Sequence, residues 1–578
     1  MTWRGFRVLL ITLFLTALTC KACLVKDVPP KKKTFTQEQS QLTTIKYPSP
    51  KNVTIKGTDY LESQAPIGTF GGELVSSTIG EGPKTFNPFN CKDNISALMS
   101  GIMYDGLLSS DPMTGQPTPK LAKSFSISSD GTTYTIKLRH GIKWSDGKPI
   151  TADDVVFTWN YIIFAGLGDT STRDSIVIDN KLPTVRKIDN YTVEFITPKP
   201  FAPFVRMLST PIAPKHIFMP AVKKGNTYFD SFLSTNTKPK DFVVSGAFKL
   251  KEYVPAQRVV FERNPNYYEI NTKQQKLPYL DKLVYLIVGD LNNEVLKFEA
   301  KELDVISLQG SKVARYKSLE PHSDFKLYNL GPDTGTMYLS MNLNNRKDNK
   351  GKYYVNTDKQ TWFQDLNFRT AVDYAIDRKN MVLNIANGIG APLFTPESLN
   401  SIYLNKNLKP YDKNLDKSKE LLKKSGFYLD KKGKLFDKHG HRVEFDLYTN
   451  AGNTEREAIG VMVKQDLEDL GMKVNFKPIE FNSLVNKLVS TYDWDMVIMG
   501  LTGSPLEPNG GKNVWLSDGR LHMFNQRNPQ EGKAKILPWE KELDYLYTQG
   551  ALATKFEDRK KYYETDDLYL FTNKNCRS

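Results

Sequence analysis

Six histidines and four cysteines bound the chemistry open to this 578-residue chain. His439 and His441, beside Asp437, have a spacing that could ligate a metal. They sit in DKHGHR, a polar turn ahead of an apolar alternation, and read as a solvated hairpin. His522 reads as a surface or internally satisfied histidine rather than a ligand contact. Asp377-Arg378 reads as a helix-surface or inter-element ion pair. Gly511-Lys512 is followed by Asn513, not by the Ser or Thr of a phosphate-binding loop. Gly-x-Ser-x-Gly and His-Glu-x-x-His are absent, and no carboxylate pair suggests hydrolysis. Binding is therefore a stronger reading than catalysis, with no cofactor and no metal. The binding chemistry on offer is main-chain. Gly500-Leu501-Thr502-Gly503-Ser504-Pro505 and Asn509-Gly510-Gly511 are dense in glycine and proline, which predicts no regular element and free backbone donors and acceptors.

The elements that must position this segment alternate. Phe368, Ala371, Val372, Ala375 and Ile376 have helical spacing, as do Leu415, Ser418, Leu421 and Leu422, stopped by Gly426. Val443, Phe445 and Leu447 alternate as a strand; a helix over 454–470 ends at Gly471; Met472, Val474 and Phe476 alternate again. A helix near 481–491 then leads to an apolar strand, Trp494–Met499. This order predicts a mostly parallel, helix-covered sheet, whose ligands bind beyond the carboxyl ends of its strands. That is where the 500–511 segment lies. Further upstream, Ser129-Asp130-Gly131 makes a hairpin turn before TYTIKL. Thr151 caps a helix buried through Val155, Val156, Trp159 and Ile163.

Length predicts two or three lobes, since single cores stop growing near about 250–300 residues. Lys+Arg exceed Asp+Glu by 79 to 64, but the basic residues are scattered, which favours solvated surface and no nucleic-acid partner. Arg4 and Arg7 precede Val8–Leu18, an apolar run of signal-peptide length, short of the roughly 20 residues that span a bilayer. Ala17-Leu18-Thr19-Cys20 suggests lipoprotein processing with Cys20 as the lipidated residue; an ordinary secretory signal is the alternative. Residues 21–65 are rich in Lys, Thr, Gln, Ser and Pro and read as a flexible tether.

Several segments, in order, resemble the extracytoplasmic solute-binding proteins of oligopeptide and dipeptide ABC importers (family 5). They are PKTFNPF (83–89), YDGLLSSDP (104–112), the stretch from Leu121 to Trp159, SGAFKLKEYVPAQRVVFERNPNYYE (245–269), FRTAVDYAIDRKNMV (368–382) and YDKNLDKSKELLKKSGF (411–427). The resemblance implies a two-lobed periplasmic-binding-protein-like α/β fold (type II, cluster C) with an extra small domain. Residues 1–19 would be a signal peptide and 20–65 a lipid-anchored flexible tether. Residues 66–89, 200–320 and 530–578 would form lobe I, 90–199 an accessory domain and 325–529 lobe II. It implies a monomer, exported to the periplasm or cell surface, held to the membrane by lipid, that gives its solute to ABC permease and ATPase subunits. In peptide-binding members the ligand adds as a strand between the lobes while roomy hydrated pockets take its side chains.

The ligand contacts so implied are Phe89, Asn90, Cys91 and Lys92 in one lobe and Gly500, Leu501, Thr502, Gly503 and Ser504 in the other, with Phe481, Glu507 and Trp515 beside them. Two features depart from the family pattern. Ser504 stands where an Asp holds the peptide ammonium, leaving Glu507 as a substitute, and Leu488 and Ile498 stand where Arg meets the carboxylate. Family members also continue past the helix matching 555–568, so the resemblance predicts a first lobe completed differently or left incomplete. A same-fold receptor for a non-peptide solute, and a truncated or non-transporting surface lipoprotein, are the alternatives.

Overall fold

A computed structural model describes residues 48–572 except 112–113, 349, 396, 409–410, 520 and 526–535. The expected signal peptide, Cys20 and the first part of the expected tether lie outside the described residues. The rest of that tether is a correction. β1 (Lys51–Ile55) and β2 (Thr58–Glu62) form an antiparallel hairpin around Lys56-Gly57, both at positive φ. Alternation explains it: Asp59 and Leu61 point inward and are buried. Arg139 fastens the hairpin by donating to Asn52 Oδ1 (2.9 Å) and the Tyr60 carbonyl (3.2 Å).

β3 (Glu73–Ile79) follows, then α1 (Asn94–Met103), capped by the Asp93 carboxylate. The expected Ser129-Asp130-Gly131 turn joins β4 (Ala122–Ile127) to β5 (Thr133–Leu138). These pair with β6 (Thr184–Asp189) and β7 (Thr192–Ile196) in an antiparallel sheet ordered β4-β5-β7-β6. Against it lies α2 (Ala152–Phe157), which continues as a π-helical stretch to Ile163. Val155, Trp159 and Ile163 are buried and Val156 half-buried. A short helix, α3 (Ser171–Ser175), closes this region.

The chain returns through β8 (Phe248–Val254), β9 (Arg258–Arg263), β10 (Glu269–Ile270) and β11 (Lys282–Val288). β10 pairs in parallel with β2, and β3 in parallel with β11, giving a second sheet ordered β8-β9-β11-β3. One continuous apolar core runs from Leu61 to Tyr268 under both sheets, so the 90–199 region shares its interior with the first lobe. α4 (Leu291–Glu299) and α5 (Gly310–Leu319) lead to the second lobe.

There β12 (Gly335–Met341) precedes α6 (Leu366–Ala375), α7 (Arg378–Ile385), α8 (Leu415–Lys424), β13 (Glu444–Asn450), α9 (Thr454–Glu468), β14 (Lys473–Ile479), α10 (Phe481–Asn486) and β15 (Met496–Thr502). The sheet order is β12-β15-β13-β14, parallel except where β12 runs antiparallel to β15. The apolar stripes expected on α6 and α8 are the ones buried there, beneath Phe445, Leu447, Val474 and Ile498. Asp377 and Arg378 do not pair with each other: Asp377 caps α7 and Arg378 pairs with Asp373.

α11 (Lys512–Trp515), α12 (Pro538–Leu552) and α13 (Phe556–Thr572) complete the chain described. The assignment of 530–578 to the first lobe does not hold for these last two helices. Leu516, Tyr547 and Tyr563 cluster with Tyr403, and Asn405 donates to the Glu564 carbonyl at 3.0 Å. Their apolar faces therefore find partners on second-lobe loops, while Ala551 and Leu552 reach the first core.

Candidate functional site

β15 is buried on both faces until Met499. Met496 and Ile498 lie under α9, and Val497 and Met499 under α10 with Leu484 and Leu488. Exposure rises from Gly500 to Ser504. The expectation of a structureless 500–505 loop is corrected here. Gly500, Leu501 and Thr502 remain in the strand, opposite Met337, Thr336 and Gly335 of β12, because β12 supplies a ladder that overrides the glycine content. The other edge is different. Pairing with β13 covers only Met496 and Val497, and the last β13 contact is Thr449 Oγ1 donating to the Ile498 carbonyl at 3.0 Å. Among the described residues no strand pairs with this edge of β15 beyond Ile498.

Leu501 to Ser504 open into a cavity of about 2170 Å³. Its walls are β12, the ends of α6 and α7, residues 388–395 and 397–399, and the loop from Glu507 to Trp515; it reaches Leu291 and 307–310, in the segments that link the two lobes. Glu507 lines it but is only 4% exposed. One carboxylate oxygen accepts from Arg559 Nη2 at 2.7 Å and from the Asn509 N–H at 3.1 Å, while the other has no hydrogen-bond partner. Glu397 also lines it. Burial raises its pKa, partly offset by a hydrogen bond from Ser401, and the nearby Glu507 charge adds to the rise. Burial likewise raises Glu455 at the opposite wall. Trp515 lines the cavity beside Phe524, with ring centroids 6.1 Å apart.

Other expected contacts lie elsewhere. Phe89 is a core residue packed edge-on against Phe218, because its alternation with Asn87 turns it inward. Asn90 spends its amide on the Phe229 and Asp230 carbonyls, Cys91 lies against the Asn87 carbonyl and Ser100, and Lys92 is exposed; none of the four lines the cavity. Phe481 is 48% exposed in the first turn of α10 and away from the cavity. Gly500 sits just outside it, where a Cβ would lie 2.7 Å from Arg456 Nη2. The 89–92 segment and the 507–512 loop are both tied to the 169–175 stretch around α3. The Phe89 carbonyl accepts from the Asp169 N–H at 2.6 Å. Beyond that, Lys512 Nζ donates to the Asp174 carbonyl (3.1 Å) and Asn509 to the Ser175 carbonyl (3.4 Å). Burial lowers the Lys512 pKa.

The sequence reading missed the wall from Gly388 to Leu399, although its glycines and prolines carry the same signal as 500–511. His522 is fully buried between the Val514 carbonyl and Glu540, both at 2.7 Å, and so serves as an internal strut. His439 and His441 donate their backbone N–H groups to Asp437, as a turn does. Among the described residues no group of three or more His, Cys, Asp or Glu could hold a metal, and no helix is long and apolar enough to cross a membrane.

Two α/β bodies, with a large cavity in the second that reaches the linking segments at Leu291 and 307–310, have the architecture of a bilobed binding protein. Residues 116–521 match the family described as bacterial extracellular solute-binding proteins, family 5 Middle, and the chain belongs to that family. It is 31% identical over 505 residues to a probable ABC transporter-binding protein of Deinococcus radiodurans, covering 82% of each chain. Its fold is similar to the oligopeptide-binding protein AppA of Bacillus subtilis, solved with a nonapeptide (TM-score 0.68, 25% identity, 87% of this chain and 92% of that one). It is also similar to MelB of Agrobacterium fabrum, solved with stachyose (TM-score 0.70, 22% identity, 89% and 80%).

Proposed function

We propose that this chain is the substrate-binding lipoprotein of an ABC importer, anchored outside the cytoplasm through Cys20, and that it captures peptides and delivers them to a permease. The observation that carries the peptide reading is the end of β15, where Leu501 to Ser504 lie beyond the last β13 pairing and line a cavity large enough for several residues. An extended peptide laid along 501–504 gains main-chain hydrogen bonds whatever its sequence. Glu397 and Glu507 line the same part of the cavity as Ser504 and are the carboxyl groups on offer to an ammonium group, in place of the Asp that Ser504 replaces. Lobe movement about 307–310 then encloses the guest.

A second reading, capture of a non-peptide solute, is favoured by Leu488 and Ile498. Both are buried core residues, so neither position offers a cation to a peptide carboxylate. Native mass spectrometry of the purified protein separates the two. A ladder of peptide masses supports the first, a single non-peptide mass replaces it with the second, and consumption of the ligand refutes both. Cys20→Ala tests the anchor: it should release the protein from the membrane fraction.

A further inference from the structure

The cavity has two chemically different halves. Near Ser504 it is polar and acidic. Between β12 and α7 its wall is hydrocarbon: Leu339 and Met341 of β12, Ile459 of α9, Ile376 after α6, and Met381 and Ile385 of α7. Leu339, Met341, Ile385 and Ile459 belong to the second-lobe core yet are only partly buried, because the surface they leave uncovered faces this hollow. β12 is the edge strand of its sheet, so α9 does not reach across it. α7 and its following turn stand off as a roof. Asn387, Gly388 and Gly390 all take positive φ, and Asn387 Nδ2 holds the roof to the Ser311 carbonyl at 2.8 Å.

Of the charged groups on this half, Glu455 stands one turn before Ile459 on α9 with its pKa raised by burial, and the others are engaged. Arg378 pairs with Asp373, and Arg369 donates to the Phe363 and Gln364 carbonyls. Water placed there finds few partners, and an apolar void of this kind is stabilised by filling it with hydrocarbon. The hollow is continuous with the 501–504 opening, so whatever fills it enters through the ligand cleft.

We propose that the captured solute carries a hydrocarbon chain, and that this chain occupies the hollow between β12 and α7. The inference rests on the receptor reading above and departs from it in one respect: this half of the pocket is lined by hydrocarbon and selects for alkyl length, where peptide receptors with hydrated pockets are indifferent. The chain has two possible sources, an aliphatic side chain of a peptide or the acyl chain of an amphiphile.

The test is a calorimetric titration of the intact protein with short peptides identical except at one position, which runs from alanine through norvaline and norleucine to 2-aminooctanoate. Affinity should rise by about four-fold per methylene, the ratio for full burial of one CH₂. Displacement of 1-N-phenylnaphthylamine by the same peptides and by decanoate assigns the source: peptides alone indicate a side chain, decanoate alone an acyl chain. Ile385→Trp, which fills the hollow, should flatten the alkyl dependence. Because that variant could fold poorly, the dye displacement on the unaltered protein stands independently. Peptide binding that ignores alkyl length, with no dye displacement, overturns this inference and leaves the receptor reading intact. Failure of every peptide and acyl ligand to bind overturns both.

Discussion

Replacing Arg559 with methionine should cost more than its surface location on a terminal helix suggests. Arg559 is 7% exposed and Glu507 4%, and their charged atoms lie 2.7 Å apart. Arg559 Nε also donates to the Gly550 carbonyl at 3.0 Å, so one side chain joins α12, α13 and the loop after β15. Breaking a buried pair by removing one partner leaves an uncompensated charge, at about 3–5 kcal/mol. The Asn509 N–H remains to Glu507, which places the expected loss near the lower end, about 3 kcal/mol. That is a large part of the roughly 5–15 kcal/mol that holds a typical domain folded. The assay is a double-mutant cycle with Glu507→Gln, followed by chemical unfolding. The double variant should recover at least half of the loss, because neither charge is then left alone. An Arg559→Met cost below about 1 kcal/mol, or a double variant as unstable as the sum of its singles, refutes the account of a desolvated, mutually dependent pair.

Asp59→Asn should weaken the N-terminal hairpin. Burial alone would raise this carboxyl, but hydrogen bonds from Thr54, the His140 N–H and Lys123 hold its pKa at about 2, against 3.8 ordinarily. A depressed pKa stabilises the fold above the unfolded value, and that part, about 2 kcal/mol, is lost as pH falls from near 4 toward 2; the variant should show no such acid-dependent step in its unfolding curve. Lys512→Ala should loosen the tie to α3 by about 1 kcal/mol, read as faster hydrogen exchange over 506–512 with the remaining fold unaffected. Gly106→Ala should destabilise by more than about 3 kcal/mol in thermal unfolding, since its Cβ would press on the backbone carbonyl of Ser209 where the two segments form a bridge.

The sequence made the second lobe readable because its elements obey simple periods. The spacing of Phe368 to Ile376 and of Leu415 to Leu422, and the alternation from Val443 to Leu447, each bury one face against a neighbour in the next element. It misled where a long-range partner decides. Glycine at 500 argued for a loop, but a strand more than 150 positions earlier pairs with it, and no local pattern reports that partner. Composition misread 51–62 for the same reason: Thr54 and Asp59 look like linker residues until Lys123 and His140 are brought beside them. Phe89 belongs to a family-like motif whose local role here is a turn rather than a surface: Asn87 Oδ1 accepts the Phe89 N–H, and the ring is buried.

How the site responds to a guest follows from where its loop is fastened. Residues 507–512 are held on two sides, by Arg559 and Tyr547 of the terminal helices and by Asp174 and Ser175 of α3. The first contact stays within the second lobe. The second crosses to the region whose core is shared with the first lobe, and it consists of two hydrogen bonds to carbonyls at the end of a five-residue helix, each worth about 1 kcal/mol. On the proposed binding mode a guest along the end of β15 would press on the same loop, so its binding energy would act against these two weak bonds. Breaking the strong contact should unfold the wall, whereas breaking the weak one should change only how readily the lobes part.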